Sequence, residues 1–413
     1  MLYQFHEMQR SFLTPVMQWA DMTAKLFTNP ISPLAHTPFS QRIAAGYELM
    51  YRLGKDYEKP AFEIRSTPVT GKSAEVGINE HVVLTKSFCR LIHFKKDLAD
   101  KELRALKQPK VLLVAPLSGH HSTLLRDTVR CLLVDHDVYI TDWTDARMVP
   151  LSAGPFHLHD YIYYVQEFIR LLAPDLHVIS VCQPTVPVLA AISLMASDND
   201  PHMPKTMTMM GGPIDPRRSP TQVNNLATEK KFSWFENTVV YAVPANYPGF
   251  GRKVYPGFLQ HAGFIAMNPG RHAQSHREFY MHLVAGDDEP AEGHRKFYDE
   301  YNAVLDMPAE YYLDTIETVF QKFQLPMGTW NVGGKLVRPQ DIKNVALFTV
   351  EGELDDISGA GQTQAAHDLC SSIPADMKQD FVAPKCGHYG IFSGRRWREV
   401  ICPKIGDFIK AHG

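Results

Sequence analysis

Short apolar runs that alternate with helical segments are the feature of this sequence that most constrains its fold. The runs are continuous, which is typical of strands buried on both faces of a parallel sheet. Six strands are predicted, at residues 111–114, 138–141, 178–181, 207–210, 345–350 and 381–382. Helices are predicted among them at residues 161–172, 188–196, 363–370 and 397–410. This order indicates an α/β fold, a mostly parallel, doubly wound sheet with helices on its faces.

Two stretches depart from this rhythm and divide the chain into four parts. Residues 1–107 are predicted to form an N-terminal helical extension without strands. Residues 224–338 are rich in aromatic side chains and interrupt the core, which comprises residues 108–223 and 339–413. An insertion at this point lies at the carboxyl ends of the strands, where open α/β sheets hold their ligands. We therefore expect a helical, aromatic cap over the site, although most of its aromatic side chains are expected to form the cap's own core.

The composition argues against several classes of protein. A formal net charge of -3 over 413 residues gives no reason to expect nucleic-acid binding. No segment has the ~20 apolar residues of a membrane span, and the start of the chain lacks the pattern of a secretory signal. The six cysteines show neither a disulfide framework nor a zinc pattern, and free thiols favour the cytoplasm. The nineteen histidines show no metal spacing, so neither a metal nor a resident cofactor is expected.

A cysteine stands at the end of the third predicted strand. Residues 178–181 run directly into Cys182, and a predicted helix follows. Enzymes with the motif G-x-S-x-G present their nucleophile at such a turn; here Cys182 takes the serine position, and Ser180 and Pro184 take the glycine positions. The positive end of a helix favours a thiolate. Cys182 is therefore the candidate nucleophile, although a lone cysteine is more often a small buried apolar residue.

The acid and the histidine that such a nucleophile needs follow in order. Asp355 comes just past the strand at residues 345–350, with Asp356 as the alternative acid. His388, flanked by glycines, follows the last predicted strand. The order nucleophile, acid, histidine is that of α/β-hydrolases, in which the acid orients the histidine and the histidine moves the proton. We predict that Cys182, Asp355 and His388 form a catalytic triad that acts on an ester, the alternative being that Asp355 and His388 are ordinary loop residues.

Two backbone N–H groups are candidates for the oxyanion hole. The first belongs to Gln183, which directly follows the predicted nucleophile. The second belongs to Ser118, and Gly119 is the next candidate. Both residues lie in the loop that follows the first predicted strand. The alternative for residues 116–120 is a flexible loop without a catalytic role.

The sequence resembles the intracellular poly(3-hydroxybutyrate) depolymerases of polyester-storing bacteria over essentially its whole length. The resemblance is most specific at residues 178–184, 209–213, 306–314 and 386–390. It implies Cys182 as nucleophile, His388 as base and Asp355 as acid. It also implies an amorphous polyester substrate held in cytoplasmic storage granules, with 3-hydroxybutyrate oligomers or monomer as products.

Two alternatives stay open. Polyhydroxyalkanoate synthases have the same three residue types, but their nucleophile box is G-x-C-x-G, from which Ser180 and Pro184 depart. The other alternative is an inactive granule-binding protein with a hydrolase fold. In an active enzyme the acyl-cysteine is a thioester, so coenzyme A is a possible acyl acceptor beside water.

An apolar stripe is predicted on the first helix. Its members recur at intervals of three and four residues: Phe5, Met8, Phe12, Val16 and Trp19. Pro15 lies within this run and is expected to kink or split the helix. The stripe either packs against the rest of the N-terminal region or lies in an interface with the surface of a storage granule.

Overall fold

The computed structural model describes residues 2–413. Its strands are β1 Ser66–Thr67, β2 Val76–Thr85, β3 Cys89–Lys96, β4 Lys110–Val114, β5 Asp137–Trp143, β6 Leu176–Val181, β7 Thr206–Met210, β8 Tyr241–Ala242, β9 Lys253–Tyr255, β10 Met307–Pro308, β11 Asn331–Val332, β12 Lys335–Leu336, β13 Ala346–Gly352 and β14 Lys378–Ala383. Nine of these strands form the central sheet, in the order β1-β2-β3-β5-β4-β6-β7-β13-β14. The six predicted strands are all present in it, as β4, β5, β6, β7, β13 and β14.

The two N-terminal α-helices pack against the segment between β7 and β13, and the other α-helices flank the sheet or belong to that segment. They are α1 Leu2–Thr28, α2 Ser40–Gly54, α3 Asp100–Leu106, α4 Arg126–Leu132, α5 Leu158–Leu172, α6 Thr185–Ser197, α7 Gln222–Glu229, α8 Phe232–Thr238, α9 Gly257–Met267, α10 Pro269–Ala285, α11 Asp288–Tyr301, α12 Ala309–Thr315, α13 Ala366–Leu369, α14 Gly394–Arg396 and α15 Cys402–His412. Among residues 2–413, none of the helices is both long and apolar enough to cross a membrane.

The sheet is mostly parallel, as predicted. Strands β5, β4, β6, β7, β13 and β14 run parallel to one another, whereas β1, β2 and β3 add an antiparallel edge beside β5. Every residue of β6, β7 and β13 is buried. Burial on both faces explains why these strands are continuous apolar runs in the sequence.

The prediction of a purely helical N-terminal extension is wrong for part of residues 1–107. The edge strands β1, β2 and β3 lie within this range, and β3 pairs directly with β5 of the core. Most of β2 is exposed, from Asn79 to Val83 and at Thr85, so it lacks the apolar alternation that identifies a half-buried strand. The helical part is confirmed by α1 and α2, and α1 continues through Pro15 without being split.

The segment between β7 and β13 has the helical and aromatic character predicted for a cap. It contains α7 to α12 and a small sheet in the order β10-β9-β8. Its helix α12 packs on β9 and on α5 of the core. Its residues also line a cavity with Ser118 and Cys182, which follow β4 and β6, so the segment lies at the carboxyl ends of these strands.

One cysteine pair corrects the expectation of free thiols. Cys131 in α4 and Cys402 at the start of α15 form a disulfide. The other cysteines, Cys89, Cys182, Cys370 and Cys386, are free. Since the pair joins positions 271 residues apart, its spacing in the sequence carries no recognisable pattern.

Candidate active site

Cys182 occupies a strained turn between β6 and α6. Its φ angle is +67°, in the left-handed region that non-glycine residues rarely adopt. The backbone N–H of Cys182 donates to the carbonyl of Met210 (2.7 Å), and the N–H of Thr185 donates to the carbonyl of Cys182 (3.1 Å). These bonds hold the turn between two buried strands and the first turn of a helix. Local strain that is sustained in this way is typical of functional positions.

Two glycines directly follow the neighbouring strand β7 and leave room for this turn. A side chain at Gly212 would collide with the side chain of Thr185 and the carbonyl of Cys182. Gly211 has a φ angle of +57°, and a side chain there would come within 3.4 Å of both Asp355 and His388. The two glycines therefore allow β7 to approach the three predicted site residues closely, a role that the sequence analysis did not assign to them.

Asp355 is fixed as the partner of His388. Its Oδ1 accepts hydrogen bonds from the backbone N–H groups of Ile357 and Ser358, both at 2.9 Å. Its Oδ2 lies 2.8 Å from Nδ1 of His388. The alternative acid, Asp356, accepts from the side chain of Asn268 instead. The structure therefore joins Asp355, and not Asp356, to the histidine.

The imidazole of His388 lies between this carboxylate and Cys182. Burial disfavours the imidazolium, but the charges of Cys182 and Asp355, and hydrogen bonds with both, outweigh it and raise the pKa of His388 well above its ordinary value. Because Nδ1 is engaged by Asp355, Nε2 is the nitrogen left for the thiol. An imidazole placed in this way can accept a proton from the thiol of Cys182.

Ser118 and Gln183, the predicted oxyanion donors, line the same cavity as Cys182 and His388. In the described part of the chain, neither of their N–H groups donates to a backbone carbonyl. Both are therefore available to an oxygen bound beside Cys182. Gly119 follows in a conformation with a φ angle of +107°. The roles of Ser118 and Gln183 in catalysis stay predictions.

The cavity above Cys182 has a volume of about 570 Å³. The core contributes the polar groups on its floor, and the segment between β7 and β13 contributes much of its apolar wall, including Leu226, Phe235, Phe264, Met267, Tyr312 and Phe320. A pocket of this size and character suits an apolar chain with few polar groups. The sequence predicted an aromatic cap but could not identify which of its residues face the cavity.

A separate side-chain cluster was also missed by the sequence analysis. His157, His159 and Asp314 place one potential ligand atom each within 4.8 Å of one another. Nδ1 of His157 already lies 2.9 Å from Oδ2 of Asp314, which also accepts from the N–H of Leu158. These residues join α5 to α12 and are not among those that line the cavity above Cys182. Asp314 is 155 residues from His159 in the sequence, so the set showed no metal-like spacing.

The fold and this site define an α/β-hydrolase. The parallel strands, the turn at the end of β6 and the acid and histidine after β13 and β14 occur in the order that this class uses. Residues 211–413 match the family described as PHB de-polymerase C-terminus. The protein is accordingly a hydrolase that acts on esters. No curated protein matches the chain.

Solved structures similar to the chain include other hydrolases. A hydrolase from Pseudomonas aeruginosa PA01 is 11% identical, with a TM-score of 0.45, and the match covers 80% of this chain and 98% of that one. The monoacylglycerol lipase of Paleococcus ferrophilus is 11% identical, with a TM-score of 0.45 and coverage of 74% and 96%. The hydrolase BphD from Rhodococcus sp. strain RHA1 is 11% identical, with a TM-score of 0.43 and coverage of 81% and 99%. Likenesses at this level bear on neither substrate nor mechanism.

Proposed function

We propose that this protein is a depolymerase that cleaves the ester bonds of poly(3-hydroxybutyrate) through an acyl-cysteine intermediate at Cys182. The observation that carries the proposal is that Cys182, in its strained turn, shares a cavity with a histidine held by Asp355. The match of residues 211–413 to the PHB depolymerase family supports the choice of polymer.

In the first half of the reaction, the thiolate of Cys182 attacks the ester carbonyl carbon. The carbonyl oxygen gains the negative charge and accepts from the N–H groups of Gln183 and Ser118. When the intermediate collapses, the carbon–oxygen bond to the alcohol side breaks, and His388 gives its proton to the departing alkoxide. The products of this half are a shortened chain with a hydroxyl end and an acyl group on sulfur.

In the second half, an acceptor resolves the thioester. His388 takes the proton of a water molecule, the resulting nucleophile attacks the acyl carbon, and the thiolate of Cys182 leaves. The released product is a 3-hydroxybutyrate oligomer or monomer. Coenzyme A is a second acceptor in this proposal, because exchange of one thioester for another is close to neutral in energy; the product is then a hydroxyacyl thioester.

The exposed surface of α1 supports association with cytoplasmic storage granules. Tyr3 and Met17 anchor one face of the helix in the protein, but the predicted stripe lies on the outside. Phe5 is 56% exposed, Phe12 is 74% exposed and Trp19 is 53% exposed. The stripe is therefore largely exposed, although Trp19 also contacts Tyr47 of α2, with ring centroids 5.1 Å apart. An apolar surface of this kind is typical of a binding face, and an amorphous polyester is an apolar phase that it can enter.

Incubation of the purified protein with amorphous polymer tests the proposal against its two alternatives. We expect release of soluble hydroxybutyrate, and no release from the Cys182→Ala variant. Growth of polymer from hydroxyacyl-CoA without release of acid would instead identify a synthase. Binding to polymer without either reaction would identify an inactive granule-binding protein.

A further inference from the structure

Two side chains in the wall of the catalytic cavity have a buried polar atom without a hydrogen-bond partner. They are Gln260, through Oε1, and Gln183, through Nε2. Among the cavity-lining residues in the described part of the chain, these are the two that have such an atom. Leaving a buried polar group unpaired is unfavourable, so groups of this kind indicate a ligand with complementary polar atoms.

The orientation of Gln260 is set by its own amide nitrogen. Nε2 donates to two backbone carbonyls, those of Tyr255 at 2.8 Å and Leu305 at 3.1 Å. Oxygen must therefore be the free atom, because a carbonyl cannot donate to a carbonyl. The residue is 2% exposed, and a side chain at Gly119 would come within 2.7 Å of Oε1. The acceptor thus lies beside the loop that contains Ser118.

Gln183 presents the opposite chemistry. The hydroxyl of Tyr311 donates to its Oε1 at 2.5 Å. Tyr311 is itself buried and stacks on Tyr161, with ring centroids 5.5 Å apart. The side chain of Gln183, 8% exposed, is thereby held with Nε2 as a free donor next to the nucleophile.

We propose that this pair forms a subsite for the hydroxyl end of a hydroxyalkanoate chain. The inference rests on the proposed function, because it concerns the chain whose ester lies over Cys182. A polyester chain offers many carbonyl acceptors, any of which matches Nε2 of Gln183. Its only uncharged hydrogen-bond donor is the terminal hydroxyl, since the opposite end is an ionised carboxylate at neutral pH. Oε1 of Gln260 accepts from that hydroxyl.

The subsite makes the cleavage directional. With the hydroxyl end bound at Gln260, the ester over Cys182 is one near that end, so the enzyme removes short units from the hydroxyl terminus. A chain whose terminal hydroxyl is converted to an ester has no donor for Oε1, and its binding leaves the acceptor buried and unpaired. Sites built to bind a substrate hydroxyl discriminate strongly against analogues that lack it.

Soluble 3-hydroxybutyrate oligomers with a free or an acetylated hydroxyl end test the subsite with the wild-type protein. We expect kcat/KM to be at least about ten-fold higher for the free oligomer, with short products released from the hydroxyl end first. Equal rates on the two oligomers would overturn the subsite while leaving the proposed function intact. Hydrolysis of neither oligomer would instead overturn the proposed function and the subsite that rests on it.

Substitutions assign the selectivity to Gln260. In Gln260→Met we expect the ratio of the two kcat/KM values to fall toward one, because methionine fills a similar space without an acceptor. Gln222 also lines the cavity but is exposed, so Gln222→Met is the control and should keep the wild-type ratio. A Gln260→Met variant that keeps the wild-type ratio would overturn the assignment.

Discussion

Nδ1 of His388 lies 2.8 Å from Oδ2 of Asp355, whereas the adjacent carboxylate, Asp356, bonds with Asn268. Two neighbouring acids therefore have different expected roles. Asp355→Asn should lower kcat on a soluble ester by several orders of magnitude, roughly 10⁴-fold, because the amide favours the wrong imidazole tautomer. Asp356→Asn should change kcat by no more than about two-fold, within the usual range of surface substitutions. The reverse pattern would assign the acid to Asp356.

A buried carboxyl pair beside α1 predicts a pH dependence of stability. Burial, together with the charge of Asp306, raises the pKa of Asp145 to about 7. In the folded protein this carboxyl keeps its proton at pH values where the unfolded chain has lost it. Its contribution to stability is therefore fully present below about pH 4 and is lost as the pH rises toward 7.

The variant Asp145→Asn isolates this contribution. The free energy of unfolding of the wild-type protein, minus that of the variant, should fall between about pH 4 and pH 7 and then level off. Urea denaturation at a series of pH values measures it. A difference that does not change with pH would show that Asp145 titrates normally.

The exposed stripe of α1 predicts a variant that separates binding from catalysis. Substitution of Phe5, Met8 and Phe12 by Ser should lower partitioning onto amorphous granules at least ten-fold, because each buried apolar side chain contributes about 1.5–3 kcal/mol. Turnover of a soluble short ester should not change. Tyr3 is left intact, since its hydroxyl donates to Asp306 at 2.5 Å and its loss would disturb the fold. Truncation of α1 would also remove Tyr3, so it would not separate granule binding from turnover.

A matched control uses exposed apolar residues elsewhere on the surface. Leu151, Leu171 and Met281 are each at least half exposed and lie outside α1. Their triple substitution by Ser should leave granule binding as it is in the wild-type protein. Equal loss of binding in both triple variants would mean that α1 has no special part in it.

Coenzyme A should divert the acyl group in the reaction with polymer. Since a thiol and a thioester exchange at almost no change in energy, part of the product should appear as hydroxyacyl-CoA when coenzyme A is supplied with amorphous polymer. Chromatography of the soluble products measures the partition. Free acid as the sole product at high coenzyme A would exclude this acceptor.

The parts of the fold and site that the sequence predicts are those specified by neighbouring residues. Strands such as β6 are buried on both faces and appear as continuous apolar runs, whereas β2 is largely exposed and gives no such signal. Cys182 is recognisable because strand, turn and helix adjoin it in the chain. Gln260 is not, because its position is created by packing of α9 against β9 and the loop that contains Gly119, more than 100 residues away.

The central claim is that Cys182 carries the acyl group, and mass spectrometry of protein quenched during turnover of a soluble hydroxybutyrate ester tests it most directly. We predict one hydroxybutyryl group on the peptide that contains Cys182. The Cys182→Ala variant should fold normally, form no adduct and have no measurable turnover. An adduct on another residue, or a Cys182→Ala variant that keeps more than about a tenth of the wild-type activity, would contradict the claim.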